Sequence, residues 1–304
     1  HADLKDRWRG GANSWYDPHG QHNLPYDATG HGTQVMGVLV GGDSSGTPIG
    51  VAPGARWIAA KIYDDSGQAK LSDIHLSYQW LLDPDGLFDT DDAPHIVNNS
   101  WGLSNAAGIC QTEFQEDIRI LKAAGMAVVF SAGNDGPNTG DNASPANYPE
   151  SLSVGAVDEK LSVAYFSSRG PSACTGGLFP TLAAPGVNIL TSDRTNGGVY
   201  PESYIVRSGT SFSAPHAAGA LALLKDAYPG ASVAELEAAL SDSAEDIGQT
   251  GPDNVYGHGL IHVPTAYTRL ENPPGCSDTD NDGYFGAADC GTAPDCDNSN
   301  AAIN

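Results

Sequence analysis

The order of apolar and polar residues divides the chain into alternating strands and helices. Short apolar runs in "ARWIAAKIY" (55–63), "HIVNNSW" (95–101), "MAVVFSA" (126–132), "LSVGAV" (152–157) and "LAAPGVNIL" (182–190) predict strands. Between them, "LSDIHLSYQWLL" (71–82) and "EFQEDIRILKAAG" (113–125) space their apolar residues as helices do, the second ending at Gly125. Two more helices are predicted over 211–228, closed by Pro229-Gly230, and over "SVAELEAALSDS" (232–243), with Ser232 as N-cap. This alternation predicts an α/β fold, a doubly wound, mostly parallel sheet with helices on both faces. Sites in such sheets lie beyond the carboxyl ends of the strands.

One predicted helix has an unusual entrance. In "RSGTSFSAPHAAGALALL" (207–224) the residues from Ala214 onward are small and apolar on nearly every side, as in a helix buried all round. Yet Ser208, Thr210 and Ser211 crowd its mouth. Pro215 is read as lying in the first turn, where its missing N–H costs no intrahelical bond. Two other segments carry matching chemistry. "GHGTQVMGVLVGG" (30–42) puts His31 at the start of a helix, and "VVFSAGNDG" (128–136) ends a buried strand in a turn bearing Asn134. Each alone has a bland reading: a structural histidine, a turn asparagine, an N-cap serine. Together they supply a hydroxyl nucleophile, an imidazole to take its proton, and an amide donor for a developing oxyanion.

Charge and cysteines narrow the setting. The chain has 37 acidic against 14 basic residues, a net charge of -23, which argues against a nucleic-acid partner. No run approaches the ~18 apolar residues of a membrane span. Cys110 and Cys174 lie in the main body, while Cys276, Cys290 and Cys296 crowd the end of the chain. Cysteines in an acidic chain suggest a secreted protein with disulfides, whose pairing cannot be read from sequence. At "ENPPG" (271–275) the hydrophobic periodicity stops and Asp, Asn, Gly and Cys take over. This divides the chain into a main domain, 1–271, and a small module, 272–304.

The three motifs, in this order, resemble those of the subtilisin-like serine proteases, the subtilases: "HGT", "SAGN" and "GTSFSAPH". "VNNSWG" (97–102), "SPANYPESLSVGAV" (144–157), "FSSRGP" (166–171) and "APGVNI" (184–189) extend the likeness over roughly 1–270, most closely to the bacillopeptidase branch. Gln34 stands where a second histidine is usual, and Phe212-Ser213 where Met-Ala is frequent. The resemblance implies a subtilisin-like fold and a secreted endopeptidase. In it Ser211 is the nucleophile, His31 the general base and Asn134 an oxyanion donor. It further implies that Ser100, Trp101 and Gly102 pair with an extended substrate backbone. Together with Ala132 and Gly133 they would flank the pocket for the residue before the cleaved bond. Trp101 could equally be filling core.

A subtilase also needs an aspartate in "D-[ST]-G" to orient the histidine. None precedes His31. The opening "HADLKDRW" resembles the family segment just after that aspartate, so the acid is expected upstream of His1. A precursor with signal peptide and inhibitory propeptide is expected with it, and the 304-residue chain is expected to be nearly inactive. Asp3 matches a family position that often ligates calcium, and Asp27 reads as turn chemistry.

In the module, "DTDNDGYFGAAD" (278–289) has the spacing of an EF-hand-type loop. Asp278, Asp280, Asp282, the Tyr284 carbonyl and Asp289 are its candidate calcium ligands. The following cysteine-rich stretch resembles thrombospondin type-3 repeats. A disordered acidic linker is the alternative. Two rival functions remain: a catalytically dead calcium-binding scaffold, and an esterase using Ser44 in "GDSSG" (42–46), which fits G-x-S-x-G. That elbow requires a strand before it, and here a predicted helix precedes it.

Overall fold

The computed structural model describes residues 1–272 except 45, 47, 88 and 104–106. The chain runs through α1 (Ala2–Lys5), β1 (Trp15–Tyr16), α2 (His31–Val40), β2 (Ala59–Ala60), α3 (Leu71–Leu82) and β3 (Ile96–Asn99). It continues through α4 (Gln115–Ala123), β4 (Ala127–Ser131), β5 (Leu152–Val157) and β6 (Leu182–Pro185). The last elements are β7 (Ile189–Ser192), β8 (Tyr204–Arg207), α5 (Thr210–Ala227), α6 (Val233–Asp242) and α7 (Val263–Glu271).

The centre is a parallel sheet in the order β3-β4-β5-β6. Every residue of β4 and β5 is buried, because helices cover both faces. Alternation along β4 sorts its side chains. Ala127 and Val129 join Leu152, Val154 and Leu182 in a cluster with α5, α6 and α7, whereas Val128 and Phe130 face α3 and α4. Helix α5 lies against the sheet with Ala214, Ala217, Ala218, Ala220 and Leu221 all fully buried. Its small residues allow close approach: a Cβ on Gly219 would fall 2.7 Å from the Val51 Cβ. Ser232 caps α6 in a capping box with Glu235, worth about 1 kcal/mol.

The predicted helices are present, and α3 occupies the span read from its periodicity. Two strand expectations are corrected. The run 182–190 forms two strands in different sheets. β6 joins the parallel sheet, while β7 pairs antiparallel with β8, after a break at Pro185-Gly186 and Asn188 at φ 56°. The run 55–63 yields only the two residues of β2, paired with β1; Ile58 and Ile62 beside them pack into the core near α3. The 273–304 stretch, with the calcium-loop residues Asp278, Asp280, Asp282, Tyr284 and Asp289, lies outside the described residues.

Candidate active site

Strands β3 and β4 are parallel neighbours, so their carboxyl ends deliver Ser100–Gly102 and Ala132–Asn134 side by side. A cavity of about 610 Å³ opens there. Ser100, Trp101, Gly102, Ala132, Gly133, Asn134 and Ser211 all line it, which brings the expected substrate-pocket residues to the serine and the asparagine.

The α5 entrance differs from expectation in an informative way. The helix starts at Thr210, so Pro215 lies in its second turn. An N–H at 215 would have bonded the carbonyl of Ser211, and proline leaves that carbonyl free. The Ser100 hydroxyl takes it instead, donating at 2.8 Å, and Asn98 Nδ2 in turn donates to Ser100 Oγ at 3.0 Å. The backbone of Ser211 is thereby tied to the end of β3. Ser211 Oγ donates to the Ser100 carbonyl at 3.4 Å.

Asn134 is oriented by the same helix. Its Oδ1 accepts from the Thr210 N–H and the Thr210 hydroxyl, each at 3.0 Å. The Thr210 Oγ1 also accepts from Gly133 N–H at 3.2 Å. With Oδ1 engaged, Nδ2 keeps its hydrogens for a ligand in the cavity that Asn134 shares with Ser211. Gly133 adopts φ 103°, a left-handed conformation that glycine tolerates, and a Cβ there would meet Ser168 Oγ at 2.8 Å. Sequence reasoning did not single out Thr210 or Ser168 as holders of this turn, although both stand inside the quoted motifs.

His31 opens α2 after Gly30, at φ 97°. The helix N-terminus is capped from Asp27. Its Oδ1 accepts from the N–H groups of Thr29 and Gly30, and its Oδ2 accepts from the Thr33 N–H and hydroxyl, both at 2.8 Å. Burial alone would raise the Asp27 pKa, but hydrogen bonds from the Thr33 and Gly30 backbone and the Thr33 hydroxyl outweigh it, and the carboxyl is held below its usual value. Asp27 is therefore a capping group, in agreement with the turn chemistry read for it.

Val35 and Val38 of α2 pack on Phe212, and the His31 ring meets the Phe212 ring edge-on at 6.1 Å between centroids. The structure thus brings His31 against the residue that follows Ser211. Burial pushes the His31 pKa below 6.5, and the Asp27 charge opposes this only in part. The imidazole is neutral near pH 7, as a proton acceptor must be. Among the described residues no hydrogen bond joins its ring to Ser211 or to a carboxylate.

Trp101 divides between two roles. Its ring packs edge-on against Phe114 and Phe130, with centroids 5.5 and 5.9 Å away, and its Nε1 donates to Asn99 Oδ1 at 3.1 Å. It is core, and one face reaches the cavity. Gly102 is exposed, and among the described residues its backbone has no hydrogen-bond partner, as an edge that accepts a strand requires.

Cys110 and Cys174 form a disulfide beside Ser144, whose hydroxyl lies 3.9 Å from Cys174 Sγ. The wall residues Ala143 and Ala146 lie on a segment gripped from both sides. Leu103 N–H and Gln111 N–H bond Ser144, while Ser172 Oγ donates to the Asn147 carbonyl at 2.7 Å.

Asp3 is fully buried, but its carboxylate faces donors: Ser44 N–H at 2.7 Å and Tyr204 O–H at 2.8 Å. That is a poor setting for a cation. Asp83, Asp85 and Asp92 bring carboxylate oxygens within 4.8 Å of one another, an all-oxygen set of the kind that suits calcium rather than zinc. Asp92 is already engaged there by Asn13 at 2.9 Å and Arg9 at 4.0 Å. Ser44 follows helix α2, not a strand, so the elbow geometry of an esterase is not formed.

The profile of the subtilase family matches residues 1–259. Bacillopeptidase F of Bacillus subtilis (strain 168) is 38% identical over 287 residues, which cover 86% of this chain and 19% of that protein. The chain thus spans about a fifth of that relative's length. Subtilisin DY of Bacillus licheniformis is 31% identical over 242 residues, 79% of this chain and 78% of the relative. Subtilisin Savinase of Lederbergia lenta is 32% identical over 241 residues, 79% of this chain and 78% of the relative.

Proposed function

The chain belongs to the subtilase family, a family of serine-type endopeptidases, and on that premise we propose that it cleaves peptide bonds through an acyl-enzyme on Ser211. The observation that carries the reading is the cavity shared by Ser211 and Asn134, with His31 packed against the neighbouring Phe212. Ser211 attacks the carbonyl and His31 takes the hydroxyl proton, later passing it to the leaving amine. The oxyanion meets Asn134 Nδ2 and the N–H of Ser211, the one N–H of the first three in α5 without a partner among the described residues. Protein or peptide substrates lie extended along Ser100–Gly102, with the side chain before the cleaved bond between that segment and Ala132–Gly133.

Its setting is proposed to be extracellular. The Cys110–Cys174 disulfide supports this, and no helix among the described residues is long and apolar enough to cross a membrane. A propeptide is the proposed partner of the precursor. Structural calcium is proposed at the 278–289 loop.

The 304-residue chain is proposed to turn over slowly, because among the described residues no carboxylate accepts a hydrogen bond from the His31 ring. Loss of the orienting acid alone costs about 3 × 10⁴ in turnover in subtilisin, a relative. Peptide hydrolysis by this chain and by one that supplies an aspartate to His31 tests both points. The expected result is slow cleavage that rises by orders of magnitude with the acid and vanishes in Ser211→Ala. Cleavage that survives Ser211→Ala, or survives it only until Ser44→Ala, overturns the assignment. Fast cleavage by the 304-residue chain overturns the claim of low activity.

A further inference from the structure

We propose that Gln34 is a positioning residue of the reaction centre, an amide bridge that sets helix α2, and His31 with it, against the strand that feeds Ser211. This rests on the reading of Ser211 as nucleophile and His31 as base. Gln34 is only 5% exposed, and a buried amide needs partners at both ends. One hairpin supplies them. Gln34 Nε2 donates to Asp193 Oδ1 at 2.9 Å, just past the end of β7, and Gln34 Oε1 accepts from Arg207 Nε at 3.3 Å, at the end of β8. Gln34 follows His31 by nearly one helical turn, and Arg207 lies just ahead of the α5 entrance that carries Ser211. The helix of the base and the strand leading to the nucleophile therefore meet at this amide.

The contacts around the bridge fix its geometry. Thr191 Oγ1 donates to the Gln34 carbonyl at 2.6 Å and Ser192 Oγ to the Thr33 carbonyl at 2.9 Å, and both residues are fully buried. A Cβ on Gly37 would overlap both hydroxyls, so this glycine lets α2 lie directly on β7. The oxygen that Gln34 bonds also abuts the residue before the base: a Cβ on Gly30 would fall 3.2 Å from Asp193 Oδ1. A shift of the hairpin therefore moves α2 at both ends of its first turn. Val35 and Val38 pack on Phe212 and Ile189 without directional preference, whereas hydrogen bonds are directional, so the bridge sets the rotation of α2. Gln34 does not line the cavity beside Ser211, and its influence on the reaction passes through His31.

The test needs no turnover. A tripeptidyl diphenyl phosphonate binds and then phosphonylates the serine oxygen with loss of phenoxide, so its kinetics on the 304-residue chain separate a limiting rate from a half-saturating concentration. Urea unfolding of each variant puts the rates on a per-folded-molecule basis. Gln34→Glu sets a carboxylate against Asp193 and is expected to lower the limiting rate about tenfold, the scale of a base misplaced by a fraction of an ångström, with the half-saturating concentration unchanged. Gln34→Met keeps the volume, removes both hydrogen bonds and is expected to do the same; it carries the test should Gln34→Glu fail to fold. The pair Gln34→Glu, Asp193→Asn exchanges donor and acceptor, since an asparagine at 193 donates to the new carboxylate, which still accepts from Arg207. Its rate is expected to return to within about threefold of wild type. A wild-type limiting rate in Gln34→Met, a loss confined to the half-saturating concentration, or a folded pair without rescue overturns the bridge and leaves Ser211 standing as nucleophile. Absence of Ser211 modification in the wild-type chain overturns the underlying reading itself.

Discussion

The two halves of the reaction centre are built differently. The serine and amide half is embedded in the core: all of β4 is buried, α5 is packed along its length, and Thr210 cross-links Gly133 and Asn134 to the helix entrance. The imidazole half stands on α2, which is entered through a loop of exposed and half-buried residues and anchored at its start by Asp27. Its ring has packing against Phe212 and no hydrogen bond to fix its tautomer among the described residues. Nucleophile and oxyanion donor are therefore positioned by the fold itself. The base is positioned by one helix cap, one aromatic contact and the Gln34 bridge, and its chemistry needs a further orienting group.

The sharpest way to separate the halves is at Asn134. Asn134→Ala is expected to lower kcat by about 10²–10³ with little change in KM, the loss seen when the corresponding donor is removed from subtilisin, a relative. Melting and denaturant curves of the same variant check that the turn survives, since Thr210 still bonds Gly133. A drop confined to KM would mean that Asn134 binds substrate and does not serve the oxyanion.

Asp27→Ala attacks the other half. Loss of its cap is expected to cost about 1–2 kcal/mol of stability in urea unfolding, and to impair His31 without touching the cavity. The Asp27 pKa is depressed in the folded protein, so its contribution is present above the unfolded value near 3.8 and is lost as pH falls through the lower folded value. The difference between wild type and variant should therefore vanish in acid. A difference that persists there would rule out the capping charge.

The Cys110–Cys174 bond tests how far the rigid half extends. The double variant Cys110→Ser, Cys174→Ser loosens the strap behind Ala143 and Ala146 and should raise KM several-fold while kcat holds. An equal loss in kcat would place the disulfide's influence on Ser211 itself.

The smallest effect lies away from both halves. His75 joins α3 to the start of α4, with Nδ1 2.9 Å from Asp117 and Nε2 3.1 Å from Glu113. Burial opposes the charge, but the two carboxylates outweigh it and raise the His75 pKa above 6.5. A raised folded value stabilises fully below 6.5 and is lost as pH climbs through the folded value. His75→Gln should therefore narrow the melting difference between pH 6 and pH 8.5. An unchanged difference would remove His75 from the account of α3–α4 packing.

Much of this was legible in the residues. α3 follows from its helical period and β5 from its apolar run, and Ser232 is legible as the N-cap of α6, to which the structure adds Glu235 as the other half of a capping box. The motif residues His31, Asn134 and Ser211 were nameable because each needs a strand end or helix entrance, and the pattern supplied those. The misreadings share one cause, dependence on distant partners. The 182–190 run contains enough apolar residues for one strand, and only pairing with 204–207 divides it. The role of Pro215 turned on where the helix begins, and Thr210 as first residue converts it from a neutral feature into one that frees the Ser211 carbonyl for Ser100. The cysteine pairing is likewise a fact of three dimensions.

The claim that Ser211, His31 and Asn134 act as one centre is tested most directly by mapping the adduct of a fluorophosphonate on the 304-residue chain and its variants. The predicted result is slow, single-site modification at Ser211 that is abolished in His31→Ala, weakened in Asn134→Ala, and declines in acid with a midpoint below that of an ordinary histidine, as the lowered His31 pKa requires. Modification at Ser44, or at Ser211 with a rate indifferent to His31→Ala, would contradict it.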